Sequence, residues 1–96
     1  MGSVTGMNTT PPEEIQLIMD ARKGSRAAFG RLVHLYQRRA YVEAYSVVGN
    51  SEDAVELAQE AFVRAYKAMH RFDPAMPFYP WLFRIVRNVC LNHLRK

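Results

Sequence analysis

Residues 78–88, FYPWLFRIVRN, place aromatic rings beside side chains that suit nucleic-acid binding. Arg84 and Arg87 can neutralise phosphates and stack on bases, and Asn88 can make two coplanar hydrogen bonds to the edge of a base. Aromatic rings can stack on unpaired bases, which contributes about 1–3 kcal/mol per base. The same rings are also suited to anchoring a helix in a core. The segment therefore predicts either a base-binding surface or a well-packed helix start.

The net charge of the chain is concentrated in that part of the sequence. The formal net charge is +4, and residues 74–96 carry Arg84, Arg87, Arg95 and Lys96 without an acid. A localised basic surface is typical of proteins that bind polyanions. The alternative is a solvated helix face with basic residues in its last turn, where the helix dipole favours them.

The composition is that of one small globular domain. A chain of 96 residues with 49% hydrophobic content can build one modest core. Its apolar runs are too short to cross a bilayer, and its first residues do not form a secretory signal, so we expect a cytosolic protein. The single Cys90 fits a reducing compartment and is expected to be a buried, unreactive thiol.

The sequence lacks the residue patterns of the common catalytic sites. His34, His70 and His93 do not have metal-ligand spacing, and there is neither a glycine-rich phosphate loop nor a nucleophile motif. We therefore expect no enzyme activity, no metal and no cofactor.

Helix start and stop signals indicate where the first two helices lie. Residues 1–12 are expected to form a flexible tail, and residues 13–96 one helical domain. Thr10, which precedes two prolines and Glu13, is expected to cap the first helix. Gly24 should end it, and Ser25 should cap a second helix that runs to Val48.

The second half of the chain predicts two further helices. The turn at residues 49–50 is followed by Ser51, the expected cap of a third helix that reaches about Phe72. Two prolines in residues 73–77 exclude a continuous helix, and a fourth helix follows to the chain end. Apolar residues recur every three or four positions, without the alternation of a strand. We expect an all-α fold, a compact bundle of four helices on one core.

The third predicted helix has an apolar side and an acidic side, at about 100° per residue. The apolar side is expected to be core: Ala54, Leu57, Ala58, Ala61, Phe62, Ala65 and Met69. The opposite side carries Glu52, Glu56, Gln59 and Glu60. Such a row is commonly only solvated, but it can also dock a basic partner surface.

The fourth predicted helix divides in the same way. The expected core residues are Leu82, Ile85, Val86, Val89, Cys90 and Leu94. The opposite side carries Arg84, Arg87, Asn88, Leu91, Asn92 and Arg95. Trp81 and Phe78 near the helix start fit core packing as well as base stacking.

Three segments in this order and spacing resemble region 2 of the bacterial extracytoplasmic-function (ECF) sigma factors. The segments are GSRAAFGRLVHLYQRR, ELAQEAFVRAYKAMHRF and FYPWLFRIVRNVCLNHLRK. The resemblance covers residues 14–96. It implies a bacterial, cytoplasmic protein that binds core RNA polymerase, directs it to a promoter and helps to open the duplex at the −10 element.

The resemblance also implies which residues meet each partner. Contact with the coiled coil of the polymerase β′ clamp is expected from Asp53, Glu56, Gln59 and Glu60. A base flipped from the non-template single strand is expected to be captured by the loop that precedes the fourth helix and by the start of that helix. The residues expected to contact DNA are Phe72, Asp73, Met76, Phe78, Arg84, Arg87, Asn88, Leu91 and Asn92.

Several expectations concern what lies beyond these residues. Family members usually carry a second helical domain that reads the −35 element, and we expect the chain to be an excised domain, with a natural short form as the alternative. An anti-sigma factor that covers the polymerase-binding surface is a further possible partner.

Two other readings compete with the resemblance. One is a helical protein–protein interaction module without base specificity. The other is a helix-turn-helix protein with its turn at residues 49–50, which is disfavoured because the helix after that turn is rich in acids where it would face phosphates.

Overall fold

The computed structural model of the chain describes residues 10–95 and contains four α-helices. These are α1 (Pro12–Arg22), α2 (Arg26–Val48), α3 (Ser51–Ala68) and α4 (Phe78–Leu94). A short 3₁₀ turn at Met69–Arg71 follows α3, so α3 ends earlier than expected. Residues 10–95 contain no strand, and the all-α prediction is confirmed.

Helix α2 is the central element, because α1, α3 and α4 all pack against it. Helices α3 and α4 also pack against each other, and α1 touches the 3₁₀ turn. All seven residues predicted to form the apolar side of the third helix are buried. The acids and the amide of its other side are exposed. The helical period therefore located the core of this helix correctly, since side chains three and four positions apart share a face.

The helix caps agree with the sequence signals in two places and differ in a third. The Ser25 hydroxyl accepts a hydrogen bond from the Ala28 N–H at 3.1 Å, and Gly49 ends α2 in the left-handed conformation with φ of 71°. Helix α3 is capped by Asn50, whose side-chain oxygen accepts from the Asp53 N–H at 2.9 Å. The predicted cap, Ser51, is instead the first helical residue. Both residue types cap well, so adjacent candidates cannot be ranked by type alone.

The predicted cap of α1 was wrong. Pro11 occupies the capping position and, as a proline, has no side-chain acceptor. The Thr10 hydroxyl instead accepts a hydrogen bond from the Phe78 N–H, the first residue of α4, at 3.1 Å. The predicted flexible tail lies mostly outside the described residues, and of its last positions Pro12 already belongs to α1.

The inner side of α4 matches the prediction except at Ile85 and Leu94. Leu82, Val86, Val89 and Cys90 are buried, whereas Ile85 is only partly buried and packs against the core. Leu94 is 53% exposed, because the core ends before the last turn of the helix. Burial raises the pKa of the Cys90 thiol, which disfavours the reactive thiolate. None of the helices within residues 10–95 combines the length and apolar character needed to span a membrane.

Candidate nucleic-acid interface

The outer side of α4 is the first part of the candidate interface. Because the inner side of the helix is fixed in the core, the residues between the core positions must face outward. We call these residues the α4 polar face: Arg84, Arg87, Asn88, Leu91 and Asn92, all of which are exposed. Their exposure agrees with the prediction, and it leaves Asn88 and Asn92 accessible to the edge of a base.

One cation of the α4 polar face already has a partner within the protein. The Arg87 Nη1 atom lies 2.9 Å from the Glu43 Oε2 atom, and the Arg87 side chain is 54% exposed while that of Glu43 is 16% exposed. No local sequence pattern reveals Glu43 as the partner, because the two residues are 44 positions apart and on different helices. The pair partly offsets the positive charge that the sequence places on this face.

A loop rich in proline forms the second part of the interface. This proline loop, residues 72–77, joins the 3₁₀ turn to α4. The Asp73 carboxylate accepts a hydrogen bond from the Ala75 N–H at 3.0 Å, and the Asp73 carbonyl accepts one from the Met76 N–H at 3.0 Å. Aspartate stabilises turns by this kind of bond to the backbone two residues on. The loop is therefore an ordered turn, and Met76 protrudes from it with 56% exposure.

The proline loop and the start of α4 enclose a cleft of about 320 Å³. Its lining residues are Arg71, Phe72, Asp73, Met76, Pro77, Pro80, Trp81 and Arg84. The size lies in the range of pockets that hold small organic ligands, about 300–1,000 Å³. Arg84 belongs to both the cleft and the α4 polar face, and Asn88 lies one helical turn further on the same side. The predicted DNA-contacting residues Asp73, Met76 and Arg84 thus come together around one cavity.

The aromatic residues at the helix start belong mainly to the core. Phe78 is 1% exposed and Phe72 is 2% exposed, and their rings pack edge to face with centroids 5.5 Å apart. Phe72 also contacts Trp81 at 4.8 Å. At these exposures neither ring can stack on a base, so the expected DNA contact through the rings of Phe78 and Phe72 is corrected. Phe72 contributes to the wall of the cleft, and Trp81 is half-buried between the core and the cleft.

A second aromatic group holds the start of α4 against α2. The rings of Tyr36 and Tyr79 are stacked at 5.5 Å, and the Arg39 guanidinium lies 5.1 Å from the centre of the Tyr79 ring. The Tyr36 hydroxyl donates a hydrogen bond to Glu14 at 2.5 Å. Burial, and then this bond, raises the pKa of Tyr36 far above its usual value. Tyr36 is thus a neutral structural group at every physiological pH.

A second surface lies on α3, beside the end of the α4 polar face, and carries the residues predicted to meet polymerase. We call it the acidic stripe: Asp53, Glu56, Gln59 and Glu60. Glu60 pairs with Arg64 at 2.8 Å, with both side chains about half exposed, and such surface pairs contribute at most about 1 kcal/mol. Asp53 lies 3.5 Å from His93 of α4, which connects one end of the stripe to the helix that carries the polar face.

Comparison with known proteins gives the same result for sequence and for fold. Residues 32–96 match the family described as sigma-70 region 2. The ECF RNA polymerase sigma factor SigW of Bacillus subtilis is 38% identical over 79 residues, which are 82% of this chain and 42% of SigW. The chain therefore spans less than half the length of that relative.

Two solved structures are similar to the four-helix fold. One is an engineered region 2 of sigmaE in complex with GTAAAA, with a TM-score of 0.81, 36% identity and 84% coverage of both chains. The other is CnrH in complex with the cytosolic domain of CnrY, with a TM-score of 0.76 and 34% identity, over 82% of this chain and 51% of CnrH. The residues that match the family, 32–96, include the proline loop, the α4 polar face and the acidic stripe. The chain belongs to the sigma-70 region 2 family, as region 2 of an ECF sigma factor.

Proposed function

We propose that this domain binds core RNA polymerase and recognises the −10 element of a promoter by capturing one flipped base of the non-template strand. The observation that carries the proposal is the cleft between the proline loop and α4, which opens beside an exposed row of arginine and asparagine. The domain would then act as a binding factor rather than an enzyme, in the bacterial cytoplasm where the chromosome lies.

The chemistry of the cleft suits a base that has left the duplex. A flipped base must be enclosed, stacked and read through hydrogen bonds along its edge. Trp81, Met76 and Pro77 supply apolar surface, and the Asp73 carboxylate and the Arg84 guanidinium supply polar groups beside it. Asn88 and Asn92 face outward from the next two turns of the same helix and would contact the neighbouring bases or phosphates.

The acidic stripe is suited to a different partner. Its carboxylates repel DNA phosphates and attract a basic protein surface, so the charge of each surface selects its own partner. We assign the stripe to the β′ clamp coiled coil of RNA polymerase. The complex of CnrH with the cytosolic domain of CnrY supports a further partner of this chain, an anti-sigma factor that would compete with polymerase.

The domain organisation is part of the same proposal. We assign residues 13–96 to the region 2 domain, and we propose that a second helical domain, which reads the −35 element, acts with it in the complete sigma factor. SigW, of which this chain matches 42%, is long enough to contain such a domain.

A binding experiment with single-stranded DNA tests base capture. Fluorescence anisotropy would be measured for labelled oligonucleotides that comprise GTAAAA and every single-base variant of it, at low and moderate salt. We expect unequal affinities that become more equal in Asn88→Ala, whose side chain is exposed and whose loss should leave the melting temperature unchanged. Arg26→Ala, which removes an exposed cation at the start of α2, is the control and should keep the preference.

Equal and purely salt-dependent binding of all these oligonucleotides would contradict base capture. If core polymerase also failed to restore a preference, the protein–protein interaction module would be the better account.

A further inference from the structure

We propose that α1 and the residue pair before it set the position of the proline loop, with Arg22 and Thr10 as positioning residues for base capture. This inference rests on the proposed function, since it concerns the same cleft. It goes beyond that function because neither residue lines the part of the cleft that faces DNA, and both lie far from the loop in sequence.

The first anchor holds the beginning of the loop. The Arg22 Nε–H, in the last turn of α1, donates a hydrogen bond to the Phe72 carbonyl at 2.8 Å. The bond is partly buried and joins residues 50 positions apart. A hydrogen bond with a charged donor stabilises more than one between neutral groups. Arg22 therefore fixes the point at which the chain leaves the 3₁₀ turn and enters the cleft wall.

The second anchor holds the end of the loop. The first N–H groups of a helix have no partner within the helix, and the residue before α4 is Pro77, which has no side-chain acceptor. The Thr10 hydroxyl satisfies the first of these groups by accepting from the Phe78 N–H at 3.1 Å. A residue 68 positions away in the sequence thus takes the role that a capping side chain next to the helix usually plays.

The two anchors together hold both ends of the loop, one from the last turn of α1 and one from the residue pair before that helix. Between them, the loop is held by its own bonds at Asp73 and is stiffened by Pro74 and Pro77. Displacement of either anchor would therefore move the loop as a unit and change the width of the cleft against Trp81 and Arg84. Such a change matters because enclosure and edge hydrogen bonds both require the base to fit the cleft closely.

Base discrimination separates positioning from general support of the fold. Discrimination is the ratio of the affinity for the oligonucleotide that wild-type protein binds best to the affinity for its single-base variants. We expect Thr10→Val, which keeps the shape and removes the hydroxyl, to reduce the ratio by about fivefold, the equivalent of one ordinary hydrogen bond. Thr10→Ser, which keeps the hydroxyl, should retain the wild-type discrimination ratio.

Arg22→Met should reduce the ratio by at least as much as Thr10→Val. Lys23→Met is the matched control, because it removes an exposed neighbouring cation without a bond to the loop, and it should lower the affinity for all oligonucleotides equally. The inference would be wrong if Thr10→Val and Arg22→Met lowered the melting temperature and also lowered the affinities for all oligonucleotides by the same factor. The discrimination ratio would then be unchanged, and the two residues would only support the fold.

Amide hydrogen exchange without DNA tests the anchors independently of the proposed function. The Phe78 amide should exchange faster in Thr10→Val than in wild type and in Thr10→Ser. An unchanged exchange rate would overturn the second anchor. If wild-type protein showed no base preference while the Phe78 amide behaved as expected, the proposed function would fail and the physical anchoring of the loop would stand.

Discussion

The acidic stripe and the proline loop, the two proposed partner surfaces, are built in different ways. The stripe is the outer side of one regular helix, whose inner side is buried at each predicted position. The loop contains no helix or strand, and at its two ends Arg22 donates a hydrogen bond to the Phe72 carbonyl and Thr10 accepts one from the Phe78 N–H. A surface on a helix tolerates changes to its exposed residues, whereas a surface on a loop depends on residues that never meet the partner.

The largest expected effect is on stability, and it comes from the aromatic residues packed beneath the proline loop. Phe78→Ala removes a ring that is 1% exposed and packs against Phe72, Tyr36 and Trp81. We expect it to lower the free energy of unfolding by about 3–5 kcal/mol, measured by urea denaturation at low temperature. Met76→Ala, on the exposed part of the proline loop, should change the free energy of unfolding by no more than about 0.5 kcal/mol. A small effect of Phe78→Ala would show that the loop does not rest on the aromatic cluster.

A substitution in the acidic stripe should affect binding without affecting stability. Glu60→Lys places a cation where the proposed polymerase surface is basic, and like charges across an interface cost several kcal/mol, with about 1.4 kcal/mol for each factor of ten. We expect the affinity for core polymerase to fall at least about tenfold, while single-stranded DNA binding is retained or improved. Glu13→Lys on α1 is the charge-matched control. If folded Glu60→Lys protein lost DNA binding, the assignment of DNA to α4 rather than α3 would be wrong.

The smallest expected effect concerns the ion pair at the edge of the α4 polar face. Glu43→Gln removes the charge that holds Arg87 at 2.9 Å, so Arg87 becomes available to a phosphate. We expect a two- to threefold gain in affinity for single-stranded DNA, with a salt dependence steeper by about 0.7 in the logarithmic slope. Glu60→Gln, which removes an acid from the other surface, should leave the slope unchanged. An unchanged slope in Glu43→Gln would mean that Arg87 does not meet a phosphate.

The sequence predicted the helix faces because each depends on local periodicity. Ala54, Leu57 and Phe62 follow the period of a helix, and their burial needs no knowledge of other elements. Leu94 follows the same period yet is exposed, because periodicity shows a direction and not where the core ends. Residue type and charge also separated an acidic surface on α3 from a basic one on α4, whereas the partners expected for them came from the resemblance to the ECF sigma factors.

The contacts that shape the candidate site were not accessible in this way. Thr10 fits the capping pattern of the helix beside it, but its hydroxyl binds the start of α4. Arg22 and Glu43 resemble ordinary surface charges, and their partners lie 50 and 44 positions away. Such pairings depend on how the helices pack, which a local pattern does not encode.

The position of Trp81 gives the molecule an optical property. It is the only tryptophan of the chain, it lines the cleft, and its ring lies 4.8 Å from that of Phe72. Ultraviolet emission excited at the red edge of protein absorption therefore arises from one indole at the wall of this cavity. The protein carries its own fluorophore at the place where occupancy by a base would alter the emission, so filling of the cleft can be followed without a dye.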